Sequence, residues 1–376
     1  MIVCLKASRW LFAVAILAAL GFVRPGQAAP VRADLMDTPA GQNERARSAV
    51  LMAVAAAGQR LVAVGERGTV LLSDNNGQDW RQAKAAPTSV ALTAVSFISA
   101  DVGWAVGHSG MVLKTTDGGE TWEKQLDGKQ AAAIEAAAAD AATTATAAVE
   151  NASAPTRRQR DARRLIDDGA DKPFLDVLFT DAQNGLVVGA YGLAFGTRDG
   201  GQSWQSLIGQ IDNPESRHLY KITPIGADGG LMLVGEQGLL LKSPAAGRPF
   251  AKIPFTYPGT LFGELVAPDH AILVFGLRGN AFRSLDDGVN WHKVDFGPPV
   301  TLTAGTRMKD GRLAVVDEAG RILLSSDDGA TFALLASGKI NAATGVVEAA
   351  DGGLVVATQR GPARIPPETL NAEAKK

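Results

Sequence analysis

A short glycine-bearing motif returns seven times along this chain, and no other feature restricts its possible folds as much. The first copy opens with Ala63-Val64-Gly65-Glu66-Arg67-Gly68, and the second with Ala105-Val106-Gly107-His108-Ser109-Gly110. The last glycine of the motif falls at Gly68, Gly110, Gly192, Gly238, Gly279, Gly320 and Gly361, at intervals of 42, 82, 46, 41, 41 and 41 residues. In six copies an aromatic residue follows twelve positions later: Trp80, Trp122, Trp204, Phe250, Trp291 and Phe332. Between the glycines lie short alternating strands, such as Leu61 to Gly65 and Val70 to Ser73. One four-stranded sheet cannot bury both of its faces, so stacked copies must hide each other's apolar surfaces. The expected fold is therefore all-β, a seven-bladed β-propeller of four-stranded antiparallel blades, forming a single domain over 29–376. The seventh unit stops soon after Pro366, and the segment Val31 to Thr38 is expected to supply its missing outer strand.

The second half of each unit carries a spaced polar motif. Thr115-x-Asp117-x-Gly119-x-Thr121-Trp122, Ser284-x-Asp286-x-Gly288-x-Asn290-Trp291 and Ser325-x-Asp327-x-Gly329-x-Thr331-Phe332 have the spacing of the Asp-box, or BNR, repeat. In such a turn the carboxylate and hydroxyl accept backbone N–H groups, glycine takes a positive φ, and the ring packs beneath. These are structural duties. Asn75 replaces the aspartate in the first copy, and Ser243-Pro244-Ala245-Ala246-Gly247 has lost it. One carboxylate per turn makes a poor cation site, so no metal is expected. His108, His218, His270 and His292 lie in different units without ligand spacing, and neither a phosphate loop nor a nucleophile elbow is present.

The interval of 82 residues admits an extra blade by length, but its composition does not. Twelve of the nineteen residues from Ala131 to Val149 are alanine, which predicts helix or disorder in an insertion over 127–172, between blades 2 and 3. Thr156-x-x-Gln159 reads as a capping box and Gly169 as a helix stop, bracketing Arg157, Arg158, Arg160, Arg163 and Arg164. Arginines in a first turn oppose the helix dipole. Two readings follow: a solvated helix with Arg163–Asp167 and Arg164–Asp168 pairs, or a basic arm for an acidic client segment or anionic lipid. The second would allow peripheral membrane association.

At the N-terminus Lys6 and Arg9 precede an apolar run from Trp10 to Val23 and a small-residue stretch at Ala28, the pattern of a cleaved signal peptide over 1–28. Export, and a periplasmic location, are expected. The only cysteine, Cys4, would leave with it. Loss of Lys6, Arg9 and Arg24 leaves 34 basic against 39 acidic residues, a balance that does not favour nucleic acid.

Val-Gly-x-x-Gly followed by Leu-x-Thr-x-Asp-Gly-Gly-x-Thr-Trp, repeated in seven units behind an export signal, resembles the photosystem II assembly and stability factor family. The resemblance implies a seven-bladed propeller acting without catalysis or cofactor as an assembly factor. Its partner would be a membrane-complex subunit or transporter, with the chain itself a monomer. Sialidases and other glycosidases also carry Asp-boxes, so a glycan-active enzyme or glycan-binding module is the alternative. Against it, a sialidase requires three arginines, a tyrosine nucleophile with its glutamate, and an acid. Only Tyr191, Tyr220 and Tyr257 are present, and Arg364-Ile365-Pro366 closes the last unit, whereas in sialidases the motif precedes the first Asp-box. In an up-and-down blade the Gly-x-x-Gly turns ring the face opposite the Asp-boxes. Glu66, Arg67, His108, Tyr191, Glu236, Arg278, Glu318 and Arg360 on those turns are candidate partner-binding residues, with the five arginines of the insertion.

Overall fold

Apolar runs of four to seven residues between the glycine turns form seven antiparallel sheets, at 51–82, 92–126, 174–206, 219–252, 261–294, 302–334 and 343–365. Strands adjacent in sequence are adjacent in each sheet, and the sheets form the seven blades of a propeller. The computed structural model describes residues 34–147, 155–226, 228–245, 248–335 and 340–373; the expected signal peptide, Cys4, Val31 and Val149 lie outside them.

The core lies between blades. The second strand of each blade is buried on both faces, as at Arg60–Gly65, where Leu61 to Val64 are at most 1% exposed. Val62, Leu72 and Trp122 share one cluster across blades 1 and 2, while Trp80 joins Val355 and Ala357 across blades 7 and 1. The ring set twelve residues after the glycine is thus an inter-blade anchor. Burying some 150–250 Å² of indole is worth at most about 4–6 kcal/mol of transfer free energy.

The spaced polar motif holds its turn by side-chain bonds. Thr115 Oγ1 accepts from Gly119 N at 3.0 Å, Asp117 Oδ1 accepts from Thr121 N at 2.9 Å, and Trp122 Nε1 donates to Gly119 O at 2.9 Å. The same set recurs at Ser284–Trp291, with Asp286 and Asn290 in place of Asp117 and Thr121.

Ring closure differs from the expectation. Among the described residues blade 7 has three strands, and Asp34 to Thr38 form no strand on it. They run beside the connection from blade 1 to blade 2, where Ser89 N donates to Leu35 O and Ala40 N to Ala86 O, each at 2.9 Å. The chain then passes through a short helical turn, Glu44–Ser48, to blade 7, where Gly361 N donates to Ala49 O at 3.0 Å. Blades 7 and 1 meet side by side, with Thr344 Oγ1 donating to Leu51 O and Arg364 Nε to Asn76 O, each at 2.8 Å. The physical reason is that the strap already has backbone partners along 82–89 and cannot also pair with the last strand. A C-terminal helix, α3 (Pro367–Glu373), instead buries Leu370 between blades 6 and 7.

The insertion is a pair of helices, α1 (Gly128–Ala147) and α2 (Arg157–Asp168), packed together and against blade 3. Thr156 and Gln159 form the reciprocal capping box, and Gly169 ends α2 at φ 77°.

Candidate partner-binding site

The Gly-x-x-Gly turns are left-handed. Arg67 (φ 54°, ψ 33°) and Gly68 (φ 69°) are the central residues of a turn closed by Thr69 N to Glu66 O at 2.9 Å, the type I′ geometry whose twist matches its flanking strands. Ser109, Tyr191, Gln237 and Arg278 repeat this conformation, with φ from 54° to 57°. Gly68 is required twice over, since a Cβ there would also lie 2.0 Å from Thr88 O.

The candidate residues on these turns divide by duty. Glu66, Glu236 and Glu318 turn their carboxylates inward to accept the N–H of Val50, His218 and Thr301, each at 3.1 Å. They fasten each turn to the start of its own blade's inner strand. Arg67, His108, Arg278 and Arg360 are exposed and spread around the ring on separate blades. Tyr191, 55% exposed, borders the groove beside α2, while the His108–Gly110 turn meets the start of α1.

The junction is a groove of about 630 Å³ between α2 and the connection at 208–216, with Tyr191 and Lys172 at its margin. Lys172 Nζ sits 5.2 Å above the Tyr191 ring, and the His218 ring lies 4.9 Å from the same tyrosine. Arg158 does not present its charge outward. Its guanidinium grips Glu135 of α1 through two bonds, of 2.7 and 2.9 Å, and Ser206 of blade 3 donates to the same carboxylate. Glu135 is 2% exposed, so this fork is the buried pin between both helices and blade 3. It also explains one of the arginines that the helix dipole disfavours.

Arg157 pairs with Asp161 at 3.5 Å, and Arg160 donates to Pro155 O at 2.6 Å. Among the described residues Arg163 and Arg164 make no ion pair, so the expected Arg163–Asp167 and Arg164–Asp168 pairs are absent. Asp168 is taken by Lys172 at 3.0 Å. The groove is lined by Arg157, Arg158, Arg164 and Lys172 against Glu135, Asp161, Asp168, Asp212 and Glu215. Its charges are mixed, unlike a purely basic arm.

A second polar group, not anticipated from sequence, spans the inner strands of blades 3 to 5. Asp176, 4% exposed, accepts from Lys221 Nζ at 3.0 Å and from Ile222 N at 2.9 Å, bridging blades 3 and 4. Glu264, also 4% exposed, has no hydrogen-bond partner for either carboxylate oxygen among the described residues. Burial pushes its carboxyl well above the ordinary range, and Asp176 pushes the same way against Thr223 and Lys221. At the equivalent inner-strand register the other blades carry Val54, Val95, Val177, Ile222, Gly305 and Val346. That misfit was the available signal, visible only once the strands are aligned. Among the described residues no cluster of three or more histidine, cysteine or acidic side chains could hold a metal ion. Nor is any described helix long and apolar enough to cross a membrane.

Residues 157–332 match the family described as photosynthesis system II assembly factor YCF48. Among solved structures, YCF48 bound to D1 peptide superposes with TM-score 0.60 at 16% identity, covering 85% of this chain and 94% of that one. YCF48 from Cyanidioschyzon merolae gives 0.58 at 14% identity, covering 86% and 97%. A streptogramin B lyase gives 0.61 at 11% identity, covering 85% and 93%, so the fold likeness extends to enzymes. No curated protein matches the sequence significantly. The family match runs from α2 through blades 3, 4 and 5 and into blade 6, so over that stretch this seven-bladed propeller is similar to the photosystem II assembly factor family.

Proposed function

We propose that this chain is an exported, non-enzymatic scaffold that binds a subunit of a membrane protein complex during assembly or as an accessory factor. The observation that carries the reading is the groove of about 630 Å³ between α2 and blade 3, built by an insertion pinned through the Arg158–Glu135 fork. Spending a buried ion pair to fix two helices beside an exposed tyrosine suits a surface that must keep its shape for a macromolecular partner. The family match supports an assembly role, and a relative of the same fold has been seen with a bound peptide. Export rests on the charged and apolar pattern before Ala28.

The glycan-active alternative finds less support. Asp176 and Glu264 are each 4% exposed, and Asp176 is held by Lys221 and Ile222, so neither carboxyl is free to meet a sugar. The test is capture. The exported protein, carrying a C-terminal tag and photo-crosslinkers on the exposed face of α2, is expected to retain one integral membrane subunit from its own membranes. Crosslinking to no membrane subunit, together with turnover of an oligosaccharide, would overturn the proposal.

A further inference from the structure

The mouth of the propeller is not alike on all sides. The second residue of each inner strand lies within a β-bulge, which re-aims its side chain. In blades 2, 6 and 7 that residue is Thr93, Thr303 or Thr344, and each hydroxyl is spent on a backbone carbonyl, at 2.7–3.2 Å. In blades 3, 4 and 5 the same position holds Leu175, Tyr220 and Phe262. Blades 3, 4 and 5 therefore turn large apolar groups side by side where blades 2, 6 and 7 turn small, satisfied ones, and blade 1, apart from that trio, carries Met52.

These groups join the groove. Tyr220 and Phe262 meet edge to face at 4.9 Å, His218 lies 6.2 Å from Tyr220, and Tyr191 lies 4.9 Å from His218. The rings form a continuous strip across two blade seams, ending at the tyrosine that borders the groove. Each ring braces the next, so little side-chain freedom remains to be lost on binding. Tyr191 also holds a left-handed backbone at φ 56°, a conformation that disfavours a bulky residue. In the groove itself, Arg164 on the α2 wall and Asp212 and Glu215 on the facing wall have no ion-pair partner among the described residues. Opposite unpaired charges thus face each other across a gap that leads onto aromatic rings.

We infer that Tyr191, His218, Tyr220 and Phe262 are the apolar half of a docking site for an extended peptide segment of a partner protein. Its other half is the groove. The occupant carries aromatic or aliphatic side chains over the strip, and adjoining acidic and basic side chains that meet Arg164 on one wall and Asp212 and Glu215 on the other. An extended chain alternates its side chains between two sides, which suits walls of opposite sign. The twelve residues of α2 span about 18 Å, room for roughly five or six extended residues. This inference rests on the reading that the chain binds a partner protein, and it names what that partner presents.

The probe is a fluorescein-labelled octapeptide, Glu-Lys-Glu-Lys-Gly-Phe-Val-Phe, made in both chain directions and titrated into the full chain by anisotropy. A control peptide has serine at the three apolar positions. The variant pair is Tyr191→Asn, since asparagine tolerates the left-handed region, and Tyr220→Thr, the residue type other blades carry there. One direction of the peptide is expected to bind the wild type at least tenfold more tightly than it binds the double variant. The serine peptide should be weakened equally. Equal binding by wild type and variant, equal binding of the serine peptide, or no binding to the wild type in either direction overturns the inference. If the double variant loses its cooperative melt, Tyr191→Asn alone decides. Membrane capture separates the two readings: retained capture with unchanged peptide binding rejects the strip alone, whereas no capture by the wild type rejects the partner-binding function itself.

Discussion

Replacing Glu264 with glutamine keeps the volume of the side chain but removes its proton, and should uncouple the propeller's stability from pH. The carboxyl is 4% exposed, neither oxygen has a hydrogen-bond partner among the described residues, and the Lys221 charge that acts on it is bound to Asp176. In the unfolded chain an ordinary glutamate loses its proton above about pH 4.3, while the folded protein holds it to higher pH. The unfolded state therefore binds fewer protons across that interval, and stability falls as pH rises from the unfolded pKa to the folded one. The loss is about 1.4 kcal/mol for each pH unit inside the window. With an unfolding entropy of about 2.1 cal/mol/K per residue over the roughly 330 described residues, each unit lowers the melting temperature by about 2 °C. Thermal unfolding of wild type and Glu264→Gln at pH 4, 5, 6 and 7 would show it. The curves should coincide near pH 4 and diverge upward in favour of the variant. A constant offset at every pH, or a variant less stable at pH 7, would refute the reasoning.

Arg158→Met should leave the carboxylate of Glu135 buried and uncompensated, at a cost of about 3–5 kcal/mol confined to the helix pair. Hydrogen exchange should then rise along Gly128–Ala147 while the strands of blades 5 and 6 keep their protection; uniform loosening would argue against a local pin. Asp199 is held down to about 2 by the Ser203 hydroxyl and Asp286 to about 2 by the Asn290 N–H, so their contribution is complete above pH 3.8 and fades as pH falls through about 2. Carboxyl-carbon titrations with midpoints near 3.8 would contradict this. Gly68→Ala meets both a φ of 69° and a carbonyl 2.0 Å from its new Cβ, and should cost more than about 2 kcal/mol in denaturant melts. A loss under about 0.5 kcal/mol would show that the turn relaxes easily.

The turns were the legible part of the molecule because their residues encode backbone conformation directly. Gly68 marks a left-handed position, Asp117 an acceptor for a turn N–H, and Thr156 with Gln159 a helix start, and each performs that duty through neighbours within five residues. Contacts between distant segments were not legible. Nothing in residues 34–38 distinguishes a closing strand from a strap; the outcome was decided by acceptors and donors at 82–89. Glu66, Glu236 and Glu318 sit on an exposed turn in sequence and read as binding groups, yet each faces an N–H 3.1 Å away across its blade. Among the candidates, Tyr191, Arg157, Arg158 and Arg164 come together at one groove, whereas Arg67, His108, Arg278 and Arg360 stand on separate blades. Residue type alone could not separate these cases, since burial and partner distance are properties of the closed ring.

Among the described residues every sheet of this ring is drawn from one continuous region of the chain, the last included. Among the described residues no blade waits for a strand made at the other end of the chain, so each can finish its own hydrogen bonding in the order in which it emerges. Completion of the circle is then an act of docking between two finished surfaces, with the leading segment laid across the joint. For a polypeptide that emerges in an extended state, that arrangement shortens the time during which an open sheet edge is available to neighbouring chains.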